Sequence, residues 1–142
     1  MLQHRFVEFI PEILEDGVLY ISMEYCTAIH KCVCGCGNKV VTPISPTGWQ
    51  LEFDGKSISL SPSIGNWNFD CQSHYWIKKN EIQHAKKWDQ YEIQDGRDMD
   101  LKMKDDFYSS AEEQVDQEGE NLVEPKSKFW SFNWLFIFFN KF

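Results

Sequence analysis

The chain has 142 residues, enough for one domain, or for one small domain with tails. Apolar residues make up 42% and aromatics 15%, sufficient for a core, while the net charge of −8 is concentrated in one segment: from Asp89 to Glu124 thirteen Asp/Glu oppose only Arg97, Lys102 and Lys104, and the remainder sums to +2. The folded part is therefore near neutral and lacks the basic excess of a nucleic-acid binder, so no nucleic-acid partner is expected.

The opening "MLQHRFVEFIPEIL" is interrupted by His4, Arg5 and Glu8 and lacks the apolar run and small-residue cleavage site of an export signal. A cytoplasmic location with reduced thiols follows as the expectation. A short helix is allowed over Phe6 to Leu14. After the Glu15-Asp16-Gly17 turn, "GVLYISMEYCTAIHKC" is β-branched and aromatic and suits one long strand or two short ones, with "NKVVTPIS" as the return strand. In "WQLEFDGKSISLS", Trp49, Leu51 and Phe53 alternate with polar residues on the way out, and Ile58 and Leu60 on the way back. Asp54-Gly55 is the dipeptide of a type I′ hairpin. "SHYWIKKNEIQHA" predicts strand, Lys-Asn turn, strand.

Beyond residue 88 the pattern disappears. Residues 89–127 are acidic and poor in aromatics, the composition of a flexible linker, with room for a short helix near Tyr108 to Gln117. Residues 128–142 reverse the composition: between Phe129 and Phe139 every residue is large and apolar except Ser131 and Asn133. Eleven helical residues span about 16 Å, half a bilayer core, so the tail suits a membrane-interface or partner anchor rather than a crossing.

"HKCVCGCGNKVV" places Cys32, Cys34 and Cys36 within five residues, and "CQSHYWI" adds Cys71 and His74. An odd cysteine count with such spacing argues against a disulfide framework. Tetrahedral zinc takes four thiolate or imidazole ligands, and Gly35 and Gly37 let a turn fold around the ion. One such knuckle is incomplete, so a distant segment must close it. Cys32, Cys34, Cys36 and Cys71 make four ligands, and His74 could replace one of the first three. Cys26 reads as a buried strand thiol. Zinc is favoured over iron because a single small site with a possible histidine ligand suits it, and its role is structural, because a hairpin domain of some 88 residues gains much from a staple.

Between the hairpin and Cys71 runs "SLSPSIGNWNFDCQSHYWI". If His74 is not a ligand it can act as general base for a serine hydroxyl, with Ser63 as nucleophile. Asn66, or the amides of Ile64 and Gly65, could then donate to an oxyanion. The alternative is a turn whose serines cap backbone groups and whose histidine binds zinc. No "HExxH" pattern supports a metal-activated water.

Together, "H-x-C-x-C-G-C-G", "W-x-L", "SLSPSIGNW" and "C-x-SHYWI" resemble a bacterial domain-of-unknown-function family. Its members are encoded beside ubiquitin-like modifiers and their activating and conjugating enzymes. The resemblance covers roughly His30 to Trp88. It implies a small metal-binding protein of a ubiquitin-like conjugation pathway, whose partners are the modifier and its conjugation enzymes. It further implies a peptidase that trims or removes the modifier, with the family's polar positions on Ser61, Ser63, Asn66, Ser73 and His74 and its cysteines on Cys32, Cys34, Cys36 and Cys71. The expected fold is mainly β: a small antiparallel hairpin domain over residues 1–88, stapled by zinc, then the acidic linker and the aromatic tail. A non-catalytic zinc adaptor that docks the modifier or its enzymes is the competing expectation.

Overall fold

The computed structural model describes residues 1–120, with side chains described through residue 110. The aromatic tail lies outside the described residues. Both sheets belong to one compact unit, Met1–Phe107; a second unit begins at Tyr108.

Among the described residues, eight strands form two four-stranded sheets. The first holds β1 (Gln3–Phe6), β2 (Val18–Ser22), β3 (Thr27–Lys31) and β4 (Lys39–Pro43), and the second β5 (Gln50–Phe53), β6 (Ile58–Gly65), β7 (His74–Lys78) and β8 (Glu81–His84), each in sequential order. All neighbours pair antiparallel except β1 and β2, which are parallel with Gln3 opposite Val18. The fold is mainly β and hairpin-built, as the alternation of apolar residues predicts.

The sheets share one core. Leu19, Ile21, Ala28 and Val40 from the first meet Ile58, Leu60, Ile64, Tyr75 and Ile77 from the second. Alternation along β3 and β4 sends every second side chain inward. β2 departs from it, with all five residues buried. Its second face is covered by the segment between β1 and β2, where Val7, Ile10 and Leu14 pack on Val18 and Tyr20. That segment, whose apolar spacing allows a short helix over Phe6 to Leu14, has none. Pro11 denies an interior helix a backbone donor, and the apolar residues at helical spacing instead clamp irregular chain onto the sheet.

Two turns differ from each other in an informative way. The β7–β8 turn is a two-residue loop, with positive φ at both Lys79 and Asn80, as a type I′ turn requires. The Asp54-Gly55 turn is longer than its dipeptide predicts: Phe53 pairs with Ile58, leaving four residues between, of which only Gly55 has positive φ. Asp54 organises that loop by accepting from the amides of Lys56 and Ser57 at 2.9 and 2.7 Å.

Within the acidic segment read as a linker, α1 (Gln90–Glu120) forms. Asp89 caps the helix, its carboxylate accepting from the Glu92 amide at 2.8 Å while Glu92 accepts from the Asp89 amide at 2.9 Å. Gln94–Asp98 and Asp100–Lys104 add contacts four residues apart. Ile93 is 3% exposed, so the first turn is also packed. No helix among the described residues is long and apolar enough to cross a membrane.

Candidate active site beside a four-cysteine cluster

The β3–β4 turn and the β6–β7 loop meet at one end of the two sheets. Gly35 and Gly37 adopt φ of +86° and +78°, conformations closed to most residues with a Cβ, and curl the first turn so that Cys32, Cys34 and Cys36 converge. Cys71 closes the group from the other sheet. The four Sγ atoms lie within 4.8 Å of one another, with Cys32–Cys34 at 3.4 Å and Cys32–Cys71 and Cys36–Cys71 at 3.8 Å. Ligands 2.3 Å from a tetrahedral zinc stand about 3.8 Å apart, so the cluster can hold such an ion.

The surroundings suit thiolates. Ser73 Oγ is 3.1 Å from Cys32 Sγ, and Asn38 donates to Cys36 Sγ at 3.3 Å. Burial raises the Cys71 thiol, but the amide and hydroxyl of Ser73 and the neighbouring thiols outweigh it and bring it down to about 7. Several thiolates this close repel one another unless a cation lies among them, which fits the residues to a metal. The fifth cysteine is not where it was expected. Cys26 is exposed in the β2–β3 turn, with φ of 44°, because the strand ends at Ser22 and resumes only at Thr27.

His74 does not join the cluster. It begins β7, three residues after Cys71, and its ring is held at both nitrogens. Nδ1 is 2.8 Å from the Lys86 carbonyl oxygen and Nε2 is 2.9 Å from Ser63 Oγ. A carbonyl only accepts, so Nδ1 carries the proton, and Nε2 presents a lone pair to which Ser63 donates. The predicted pair is thus within hydrogen-bond reach, and the group orienting the imidazole is a backbone carbonyl rather than an acid.

A bulge brings Ser63 to that position. Leu60 pairs with Ile77 and Ile64 with Tyr75, so four steps along β6 match two along β7. Ser61, Pro62 and Ser63 have no partner in that register, and the Ser61–Pro62 peptide is cis. Such bulges re-aim a side chain out of the regular alternation.

Three tryptophans enclose His74. Ring centroids of Trp67, Trp88 and Trp76 lie 4.9, 5.0 and 5.7 Å away, and Trp67 stacks on Trp88 at 5.2 Å. Gly65 makes this possible, since a Cβ there would stand 2.4 Å from the Trp67 ring.

Asn66, expected as an oxyanion donor, is placed elsewhere. Its Nδ2 donates to Ser73 Oγ at 2.8 Å and approaches Tyr75 Oη at 3.4 Å and Cys32 Sγ at 3.9 Å. Tyr75 continues to His30 Nε2 at 2.8 Å. Burial holds His30 down to about 4, so it is neutral inside this network. Asn66, Ser73, Tyr75 and His30 therefore form a buried polar chain leading to the cysteines. Ser61 is exposed and bonds to neither His74 nor the cluster. It lines a cleft of about 490 Å³ on the outer face of the second sheet, with Glu52, Ser59, Trp76, Lys78 and Gln83.

Sequence reasoning missed Lys86, Trp88 and the buried chain. A backbone carbonyl leaves no residue signature, but "WDQYE" carries the Asp-x-x-Glu of a helix cap and could have placed Trp88 at an ordered junction.

A family model described as bacterial ubiquitination-like system serine protease (BubE) matches residues 6–85, more than half of the chain. No curated protein and no solved structure matches it.

Proposed function

The chain belongs to the BubE family of bacterial ubiquitination-like system serine proteases, and from that premise we propose that it is a serine peptidase that processes or deconjugates the system's ubiquitin-like modifier. Ser63 is the nucleophile and His74 the general base. Cys32, Cys34, Cys36 and Cys71 hold a structural zinc. The observation that carries this reading is the 2.9 Å contact between Ser63 Oγ and His74 Nε2, with Nδ1 fixed on Lys86 O.

Ser63 Oγ attacks the carbonyl carbon at the end of the modifier, and its proton passes to Nε2. The imidazolium keeps its Nδ1–H on the Lys86 carbonyl, then gives the Nε2 proton to the departing amine as the C–N bond breaks. Water, activated by the same nitrogen, releases the acyl group from Ser63. With the Asn66 amide engaged near the cysteines, the oxyanion donors of this reading are the backbone amides of Ile64 and Gly65, which follow Ser63 on β6. The zinc, when bound, supplies cross-linking of the two sheets and no step of this chemistry, since four thiolates leave it no open position. The substrate tail lies extended in the cleft beside Trp76, on the face that carries His74, Trp76 and Lys78 in alternation. The partners are the modifier and the conjugation enzymes that use or attach it.

Incubation with a modifier carrying a short C-terminal extension, followed by intact mass, tests this. Wild type is expected to remove the extension. Ser63→Ala and His74→Ala should each slow removal about a thousandfold or more. An unchanged modifier mass with zinc-loaded wild type overturns the peptidase and leaves a zinc-binding adaptor.

A further inference from the structure

The residues that complete the imidazole's surroundings come from chain beyond the matched stretch. Lys86 supplies the carbonyl on Nδ1, and Trp88 presents its ring to His74 at 5.0 Å and to Trp67 at 5.2 Å, nearly parallel to the latter. Both belong to the short connection between β8 and α1.

That connection is tied to the helix at several points. Gly96, on the second turn of α1, lies directly against Trp88: a Cβ at this position would come within 2.7 Å of ring carbon Cζ3. Ile93 is buried one turn earlier, and its amide donates to Asp89 O at 3.0 Å. Lys86 pairs with Glu92 at 3.3 Å, and Arg97 donates to Asn68 Oδ1 at 2.8 Å, reaching the loop that also carries Trp67.

We propose that the first two turns of α1 are part of the active site: they seat Trp88, and Trp88, with the Lys86 carbonyl, fixes the plane of the His74 ring so that Nε2 meets Ser63 Oγ. Trp88 is a positioning residue, acting on the reaction only through His74. Removing its indole leaves one side of the imidazole open and the stacked Trp67 without its partner. Crowding Gly96 displaces the same indole from behind, with no change at any residue that touches His74. A misplacement of the base by about 1 Å costs on the order of a hundredfold in rate.

This inference rests on the Ser63–His74 reading above, and the test separates the two. The probe is a fluorophosphonate, which reacts without any modifier present. Ser63 Oγ forms a bond to phosphorus, the P–F bond breaks, fluoride leaves, and the hydroxyl proton passes to His74. Second-order labelling rates are compared for wild type, Trp88→Leu, Trp88→Phe and Gly96→Leu in the full chain. Zinc content per chain is measured in parallel.

Trp88→Leu and Gly96→Leu should label about tenfold to a hundredfold more slowly with zinc content unchanged. Trp88→Phe, which restores a flat ring, should recover to within about threefold of wild type. Gly96→Leu lies outside the dyad's contacts, and keeps the question open to an answer if Trp88→Leu does not fold. Wild-type labelling rates in both leucine variants overturn the proposal and leave the dyad intact. No labelling of wild type at Ser63 overturns the underlying dyad instead.

Discussion

Gly65 is opposite His74 in the β6–β7 register, and the Trp67 indole lies over it where a side chain would be. Neither fact involves unusual backbone: the position needs glycine for space alone. Alanine would place its Cβ 2.4–2.6 Å from three indole atoms, so Trp67 must move, and with it one wall around the imidazole. Gly65→Ala is therefore expected to slow fluorophosphonate labelling of Ser63 by about tenfold or more while leaving metal binding unchanged, because the hydrogen bonds of the cysteines run to Ser73, Asn38 and Asn66 rather than to Gly65 or Trp67. Fluorophosphonate labelling and zinc stoichiometry read the two effects apart, and an unaltered labelling rate would count against the enclosure. The same scale shows what sequence could and could not reveal. Ser63 and His74 were legible as a pair because their residue types restrict their chemistry. Asn66 was legible as a polar group near them that could donate to an oxyanion, but its amide serves Ser73 and the cysteine side, a choice made by side-chain direction alone.

At the scale of elements, the hairpins could be read from alternation, and the turns only in part. Asp54-Gly55 gave the right place and the wrong loop length, since Asp54 finds better partners in the amides of Lys56 and Ser57 than a two-residue turn offers. The parallel β1–β2 pair and the bulge at Ser61–Ser63 were not legible, because both are set by pairing partners distant in sequence. The start of α1 was hidden by its acidic composition, which mimics a solvated linker until its cap and Ile93 are considered together. The Lys79-Asn80 turn shows how much one such element carries. Asn80 has φ of 63°, its Oδ1 accepts from the Ile58 amide at 2.8 Å, and its carbonyl accepts from the Leu2 amide at 2.7 Å, joining three segments. Asn80→Gly loses the side-chain contacts and should cost about 1–3 kcal/mol. Asn80→Ala loses them too and adds left-handed strain, about 1 kcal/mol more. Urea unfolding midpoints should fall in the order wild type, glycine, alanine; alanine equal to or above glycine would show that the conformation is not what selects asparagine here.

For the molecule as a whole, the cysteine cluster joins the β3–β4 turn of one sheet to the β6–β7 loop of the other, at the end of the sheets where β7 begins with His74. The sheets otherwise meet through the apolar core, the His30–Tyr75 hydrogen bond and the Leu2–Asn80 backbone contact. A domain of this size is stable by roughly 5–15 kcal/mol, and structural zinc contributes about 10 kcal/mol or more in small domains at neutral pH, so a zinc held as proposed would contribute a share comparable to the whole. Stripping it with a strong chelator should therefore do more than lower the melting temperature. The loop holding Cys71 and Ser73 loses its tether, the residues immediately before His74 are released, and the imidazole no longer meets Ser63. Chelation is expected to abolish fluorophosphonate labelling and collapse the near-UV circular dichroism of the tryptophans together, and added zinc should restore both. Cys71→Ser should behave like the chelated protein. Cys26→Ser, exposed in its turn away from the four thiols, should bind zinc and label as wild type does. A chelated protein that keeps its tryptophan signal and its labelling rate would mean that the sheets need no staple and that the dyad is positioned by the core and α1 alone.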